Sequence, residues 1–366
     1  MKKKLAIVYP CHYEQGTGGA ELQIRYIVKY WRDIFDIHFI YIDFGAPIKN
    51  TDKINLHPLK NRLITKRRLY APYEYEITKV LDEINPHYIY TKSTSSWIYI
   101  AEKYAQKHSI KHIHAFASDK CADMHLFRGN KSLIGCIEAF YINKGLKLGE
   151  RFIFQNSYQR DMMKSRFGKK GILVRQMTPY VDMSDKNKLE AKDKIRIVWI
   201  ANLKPIKRPE LFLELAHLLK EYANKIEMRM IGIPNTLYED TVRSTEKECT
   251  YFKFVGFLKQ EEVFELLEKS DILVNTSEYE GFSNTYVQAW MRKCIVLATN
   301  SNPDNIITDK QIGYINPDIA QLAKQIEGLI DDRKKMSEMQ ERAYRYAAAN
   351  HSIENNIKAI YDYLVH

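Results

Sequence analysis

The stretch Glu280 to Gln288, EGFSNTYVQ, runs on into Ala289 and Trp290 and decides how the rest of the chain is read. An apolar run, Ile272 to Val274, leads into a polar turn, then Glu280 and Gly281, then a segment whose pattern predicts a helix beginning near Asn284. A strand followed by a loop and a helix N-terminus presents unpaired backbone N–H groups and the positive end of a helix dipole, which suits a phosphate. Asn284 and Gln288, four residues apart, share one helical face, and Glu280 stands in the turn above it, where a carboxylate can accept hydrogen bonds from sugar hydroxyls. An anion seat between two hydroxyl-binding groups is the chemistry that a nucleotide sugar requires.

Working outward, two series of alternating strand and helix signals appear. The first has apolar runs at Leu5 to Tyr9, His38 to Ile42, Tyr88 to Thr91, His112 to Phe116, Phe152 to Phe154 and Ile172 to Val174, with helical stretches around Leu22 to Trp31, Tyr73 to Ile84, Trp97 to Gln106 and Tyr158 to Phe167. The second begins at Ile195 to Ile200 and continues through Met228 to Ile231, Phe252 to Val255, Ile272 to Val274 and Ile295 to Ala298. Between them, Pro209 to Tyr222 carries one apolar stripe, Phe212, Leu215, Ala216 and Leu219. Continuous apolar strands alternating with helices predict parallel sheets covered on both faces, so an α/β protein with two Rossmann-like, doubly wound domains is expected. The boundaries expected are an N-terminal domain over 1–183, a polar linker at 184–194, a C-terminal domain over 195–345 and a closing segment, 346–366, whose helix packs back on the first domain.

A chain of 366 residues exceeds what one core usually holds, which agrees with two domains. No segment has the uninterrupted apolar length of a membrane span, and the apolar stretch after Lys2, Lys3 and Lys4 ends at Pro10, too early for a secretion signal. A cytoplasmic location is therefore expected. Cys11, Cys121, Cys136, Cys249 and Cys294 are scattered without a CxxC pair, which fits a reducing compartment and argues against a structural metal. Residues 1–183 hold 30 Lys and Arg against 17 Asp and Glu, a net +13, whereas residues 184–366 hold 26 against 28, a net −2. The first domain is thus expected to meet something anionic. Its densest basic stretch, Leu59 to Tyr73, interleaves Lys60, Arg62, Lys66, Arg67 and Arg68 with Leu63, Ile64, Leu69, Tyr70 and Tyr73, a composition suited to the inner surface of a membrane as well as to a solvated loop.

Ligands collect at the carboxyl ends of strands in open parallel sheets, and unusual loops fall there. After the first strand comes Gly16-Thr-Gly-Gly-Ala-Glu21, where Gly18 and Gly19 allow backbone to approach a ligand just before a helix. A nicotinamide dehydrogenase is the competing interpretation, because Asp43 ends the second strand near the spacing of a ribose-binding acid. The loop, however, is GxGGxE and not GxGxxG, extra residues separate it from the strand, and no His and Arg pair forms a hydride-transfer site. After Ile200 comes ANLKPIKRP, in which Pro209 can open the next helix and Lys207 and Arg208 supply mobile cations for a diphosphate. Asp119, in Ala117-Ser-Asp-Lys120, offers a carboxylate able to steer or partly deprotonate an acceptor hydroxyl. His112 and His114 alternate onto one face of the preceding strand and are expected to be packed against covering helices.

At this point the residues resemble a known family, the retaining GT-B glycosyltransferases of family 4, also called glycosyl transferases group 1. The resemblance spans nearly the whole chain: GTGGAE, FIFQNSYQRDMMKSRFG at 152–168, ANLKPIKRPELF at 201–212, FVGFL at 254–258, TSEYEGFSNTYVQAW at 276–290 and the last helix. It implies the GT-B fold with the two domains facing a central cleft, no metal and no cofactor, and a nucleotide-sugar donor such as a UDP- or GDP-sugar. It places Lys207 on the diphosphate, Glu280 on the transferred sugar, and the N–H groups near Asn284 and Thr285 on the phosphates, with Gly281 and Phe282 in the same turn and Gln288 on the ribose. The first domain would hold the acceptor, a glycan or lipid-linked molecule of surface polysaccharide biosynthesis, with Gly18 and Gly19 near the reacting centre. This chain departs from the family where the usual E-x7-E ends in Gln288, where Asn202 replaces the Arg beside the phosphates, and where Ala117, Ser118 and Asp119 replace the acceptor-side histidine. Glu280 and Asp119 are thus the expected catalytic residues, and Gly18, Gly19, Asn202, Lys207, Arg208, Gly281, Phe282, Asn284, Thr285 and Gln288 the expected donor site. The same departures motivate an alternative, a non-catalytic partner that binds sugar nucleotide or glycan. Nucleic-acid binding has only the basic pI and the 25 Tyr in its favour and no recognised motif.

Overall fold

The computed structural model describes residues 2–16, 18–92, 94–123, 132–183 and 194–366; Thr17 of the glycine-rich loop and residues 184–193 of the expected linker lie outside that set. The chain divides into one unit of Met1–Gln176 with Glu354–His366, and another of Met177–Ile353. In the first, strands β1 (Lys4–Val8), β2 (Asp36–Asp43), β3 (Asn55–Lys60), β4 (Tyr88–Lys92), β5 (Lys111–Ala115), β6 (Phe152–Phe154) and β7 (Gly171–Leu173) form a sheet of order β3-β2-β1-β4-β5-β6-β7. In the second, β8 (Ile195–Ile200), β9 (Ile226–Ile231), β10 (Phe252–Gly256), β11 (Ile272–Asn275), β12 (Ile295–Ala298) and β13 (Gly313–Ile315) form a sheet of order β10-β9-β8-β11-β12-β13. Every pairing is parallel. Two doubly wound α/β sheets are therefore present. In each, the strand order reverses beside the first strand: between β1 and β4, and between β8 and β11.

The strands with continuous apolar runs are buried on both faces, as helices on either side of a parallel sheet require. Two strands escaped the sequence pattern, and both are edges. β3 is NLHPLK, half polar and carrying Pro58, which a ladder tolerates at an edge, and β13 is only GYI. The stripe of helix Pro209–Leu218 is buried as expected, although the regular helix stops at Leu218 and a short 3₁₀ turn, Lys220–Tyr222, continues it.

The division between the units falls at Gln176, ahead of the polar stretch expected as the linker. Met177 to Met183 already pack with the second unit: Thr178 N donates to His351 O at 3.0 Å, Met183 N donates to Tyr344 Oη at 3.2 Å, and the Met183 side chain is buried in that core. Helix Arg333–His351 stays in the second unit throughout, and the return to the first comes after Ile353, later than residue 346. The last helix, Ile353–Val365, is fastened to the first unit by Tyr30 Oη to Glu354 (2.7 Å), Lys111 Nζ to Val365 O (2.7 Å) and Arg151 Nη1 to Tyr363 O (2.8 Å).

His112 and His114 do share a face of β5, and both meet the Thr91 hydroxyl, at 2.7 and 2.8 Å; His112 also pairs with buried Glu102 at 2.6 Å. Burial holds the His114 imidazole well below its ordinary range, with His112 and Lys92 adding to the effect, and burial likewise pushes His12 down to about 4. Both rings are therefore neutral when folded but take up a proton when unfolded, so the unfolded chain binds more protons and stability declines as pH falls below the ordinary histidine value of 6.5. The urea midpoint is expected to drop between neutral pH and about pH 5, and less steeply in His114→Gln. Equal slopes for the two proteins would show that His114 carries none of this linkage.

Candidate functional site

Each reversal of strand order leaves a crevice at the carboxyl edge of its sheet, because the crossovers on either side lead away from each other. At the first, the loop after β1 runs into helix Gly19–Trp31, with Gly18 as its N-cap and Gly19 as its first residue. The Glu21 side chain folds back along this loop. A Cβ at Gly16 would meet Glu21 Cγ at 2.5 Å, and one at Gly18 would clash with the carboxylate, so these glycines make room for the protein's own acid. Tyr9 Oη donates to Glu21 Oε1 at 2.8 Å. Lys92, the last residue of β4, is buried; its ammonium donates to Phe116 O at 3.3 Å, and burial pushes its pKa down to about 8 against the opposing pull of Cys121 and Glu21. The sequence reading ended this strand at Thr91 and missed Lys92. Its only signal was a lysine closing an otherwise apolar run.

Asp119 lies one strand away, after β5, and is buried. Its Oδ1 accepts from Asn156 Nδ2 at 2.9 Å and Gln159 Nε2 at 2.8 Å, while Asn156 Oδ1 caps helix Ser157–Phe167 through Gln159 N at 2.9 Å. The polar residues of QNSYQ thus anchor the Asp119 loop to a helix N-terminus, and one oxygen of the expected catalytic carboxylate is engaged there. That role was not foreseen from sequence.

At the second reversal, the loops after β8 and β11 are laced together. Glu278 N donates to Ile206 O at 3.0 Å, and the buried Thr276 hydroxyl accepts from Trp199 Nε1 at 2.9 Å while donating to Lys207 O at 2.7 Å. Lys207 Nζ forms an ion pair with Glu280 Oε1, which also accepts from Ser277 Oγ at 3.0 Å. Sequence residues 73 positions apart, both expected in the site, are thereby brought into contact. Asn202 Oδ1 accepts from Ile233 N at 3.4 Å. Arg208 adopts a left-handed conformation, φ 47°, and its guanidinium lies 3.6 Å from Glu210 Oε1, on the partly exposed side of the turn. Ser283 is the N-cap of helix Asn284–Trp290, and its hydroxyl meets that of Thr285 at 2.9 Å. Gln288 lies on this helix and is nearly fully buried. Gly281 is half-buried in the turn, whereas the Phe282 ring packs against Trp290 and His351, so Phe282 can offer a ligand its backbone but not its ring. Among the described residues, no group of three or more His, Cys, Asp or Glu side chains stands together as a metal site.

Residues 182–346 match the family model described as glycosyl transferases group 1. The matched stretch lies within the second unit, and the Lys207 and Glu280 loops are both within it. Over 205 residues the chain is 26% identical to the GDP-Man:Man(3)GlcNAc(2)-PP-Dol alpha-1,2-mannosyltransferase of Dictyostelium discoideum, a match spanning 50% of this chain and 40% of that protein. Among solved structures, HepE of Anabaena in complex with UDP and glucose is similar over 99% of each chain, with a TM-score of 0.74 at 16% identity. Sucrose-phosphate synthase of Thermosynechococcus elongatus is similar over 99% of this chain and 98% of that one, with a TM-score of 0.76 at 11% identity. At such identities the likeness carries the fold: the chain has the two-domain GT-B fold.

Within the matched stretch, Thr276 is the peg that holds the Lys207 loop to the β11 loop. Thr276→Val keeps the shape but strands the buried Trp199 N–H, and is expected to cost about 1–3 kcal/mol in urea unfolding. A loss within a few tenths of a kcal/mol would show that the peg is dispensable.

Proposed function

We propose that the protein is a retaining glycosyltransferase, moving a sugar from a nucleoside diphosphate sugar, UDP- or GDP-linked, to a glycan or lipid-linked acceptor in surface polysaccharide synthesis on the cytoplasmic side of a membrane. The observation that carries this reading is the Lys207–Glu280 ion pair at the reversal between β8 and β11, a cation and a carboxylate held side by side where a ligand enters such a sheet. When the donor binds, its diphosphate takes Lys207 from Glu280, and the released carboxylate accepts hydrogen bonds from the sugar hydroxyls. The bond from the anomeric carbon to the diphosphate oxygen then breaks, and its electron pair stays on the diphosphate. The acceptor oxygen bonds to the same carbon on the same face and passes its proton to a diphosphate oxygen. Lys207, Arg208 and the N–H groups at Asn284 and Thr285 stabilise the growing negative charge, which is where fixed positive groups lower the barrier most.

The acceptor is assigned to the first unit, whose carboxyl sheet edge carries Gly18, Gly19, Glu21, Lys92 and Asp119. The similar proteins named above support the reaction class: one is a GDP-Man:Man(3)GlcNAc(2)-PP-Dol alpha-1,2-mannosyltransferase and another was solved with UDP and glucose. Asn202 and Gln288, in place of Arg and Glu, favour a second reading, a non-catalytic partner that binds the sugar nucleotide without turning it over.

Thermal-shift screening against UDP-, GDP-, ADP- and CDP-sugars is expected to single out one nucleotide, since a ligand at about 100 times its dissociation constant adds about 2.7 kcal/mol of stability. With that donor, Lys207→Ala and Glu280→Ala are each expected to lower turnover, followed as nucleoside diphosphate release, at least about tenfold, equivalent to about 1.4 kcal/mol of barrier. Full turnover in both variants would remove the site assignment. Binding with neither transfer nor slow donor hydrolysis would support the non-catalytic partner.

A further inference from the structure

Helix Leu133–Leu148 has its orientation fixed from inside the first unit. Gly145 lies so close to helix Trp97–His108 that an added Cβ would sit 2.7 Å from both Ile98 Cγ2 and Tyr99 N. Ile142 and Leu146 are buried on the same side, and the buried Glu138 carboxylate accepts from Ser96 N at 2.7 Å and Tyr70 N at 3.0 Å. With that face pinned, the opposite face must point outward. It carries Leu133, 78% exposed, Ile137, 38% exposed, and Phe140, 61% exposed, at spacings of four and three that make one stripe. Exposed Lys144 and Lys147 continue the same face toward the C-terminus.

Glu138 also ties this helix to the basic turn, because Tyr70 follows Arg68 by two residues. That turn, Leu63–Arg67, exposes Leu63 (84%), Lys66, Arg67 and Arg68, and among the described residues the three cations make no ion pair. Unpaired cations and a ridge of exposed aliphatic and aromatic side chains, clamped through one carboxylate, lie on the unit that holds the whole positive excess of the chain. Apolar exposure on this scale calls for a partner, and the adjacent unpaired positive charge selects an anionic one with an apolar layer behind it.

We propose that the outward face of helix Leu133–Leu148 and the Lys66–Arg68 turn together dock this unit on an anionic lipid bilayer, the apolar stripe entering the headgroup boundary and the cations pairing with lipid phosphates. It rests on the transferase reading only for what such docking would serve, delivery of a lipid-linked acceptor. The test uses neither donor nor acceptor, so its failure leaves that reading standing.

Sedimentation with phosphatidylcholine vesicles, with and without phosphatidylglycerol, reads the proposal directly. The full chain is expected to partition onto the phosphatidylglycerol vesicles at low salt and to be released by added salt. Lys66→Gln, Arg67→Gln and Arg68→Gln together, or Leu133→Ser, Ile137→Ser and Phe140→Ser together, should each lower the partition coefficient at least about tenfold. Phe140→Trp supplies a second reading if either triple variant folds poorly, since the four native tryptophans are fully buried and the new indole should be quenched by brominated lipid. Equal binding to both vesicle types, an unquenched indole, or self-association that disappears with the apolar triple would overturn the proposal, the last by making a second copy of the chain the occupant.

Discussion

The reversal of strand order between β8 and β11 is the constraint on which the candidate site depends. In a parallel sheet with right-handed crossovers, neighbouring strands whose connections depart to opposite sides leave their carboxyl ends uncovered. The chain fills that opening with two polar loops and binds them to each other by Glu278 to Ile206, Thr276 to Lys207 and Lys207 to Glu280. The ion pair is partly exposed, so its own contribution to stability is small. Its consequence is positional: two oppositely charged groups are held side by side at the carboxyl ends of β8 and β11.

The first unit repeats the architecture with different chemistry. At its reversal between β1 and β4, Glu21 folds along the glycines, Tyr9 donates to Glu21 and buried Lys92 donates to Phe116 O. In the glycine-rich loop, the Glu21 side chain of the following helix lies against Gly16 and Gly18. Asp119 follows the same logic, because its carboxylate joins the amides of Asn156 and Gln159 and thereby fixes a loop next to the sheet edge.

What could be read from the sequence, and what could not, follows from the range of the interactions. The inner strands were legible because burial on both faces demands continuous Val, Ile, Leu and aromatic residues; β3, with Pro58 and one solvated side, and β13, only three residues long, obey no such demand. Glu280 and Lys207 were legible singly, each as a polar residue just after a strand, but their contact depends on β8 and β11 being neighbours, which no local pattern encodes. Lys92 and the partners of Asp119 were illegible for the same reason: their surroundings are assembled from strands and helices tens of residues apart. The sequence carries the first domain to residue 183 because polar composition begins only at 184, yet Tyr180 and Met183 bond to Tyr344, more than 160 residues later.

The central claim is that a diphosphate binds at the carboxyl ends of β8 and β11 by taking Lys207 away from Glu280. A crystal structure of the protein with the nucleoside diphosphate that stabilises it most tests this directly. The account predicts phosphate oxygens within hydrogen-bond distance of Lys207 Nζ and of the N–H groups at the start of helix Asn284–Trp290, with the ion pair opened. A diphosphate bound elsewhere, with Lys207 still on Glu280, would contradict it.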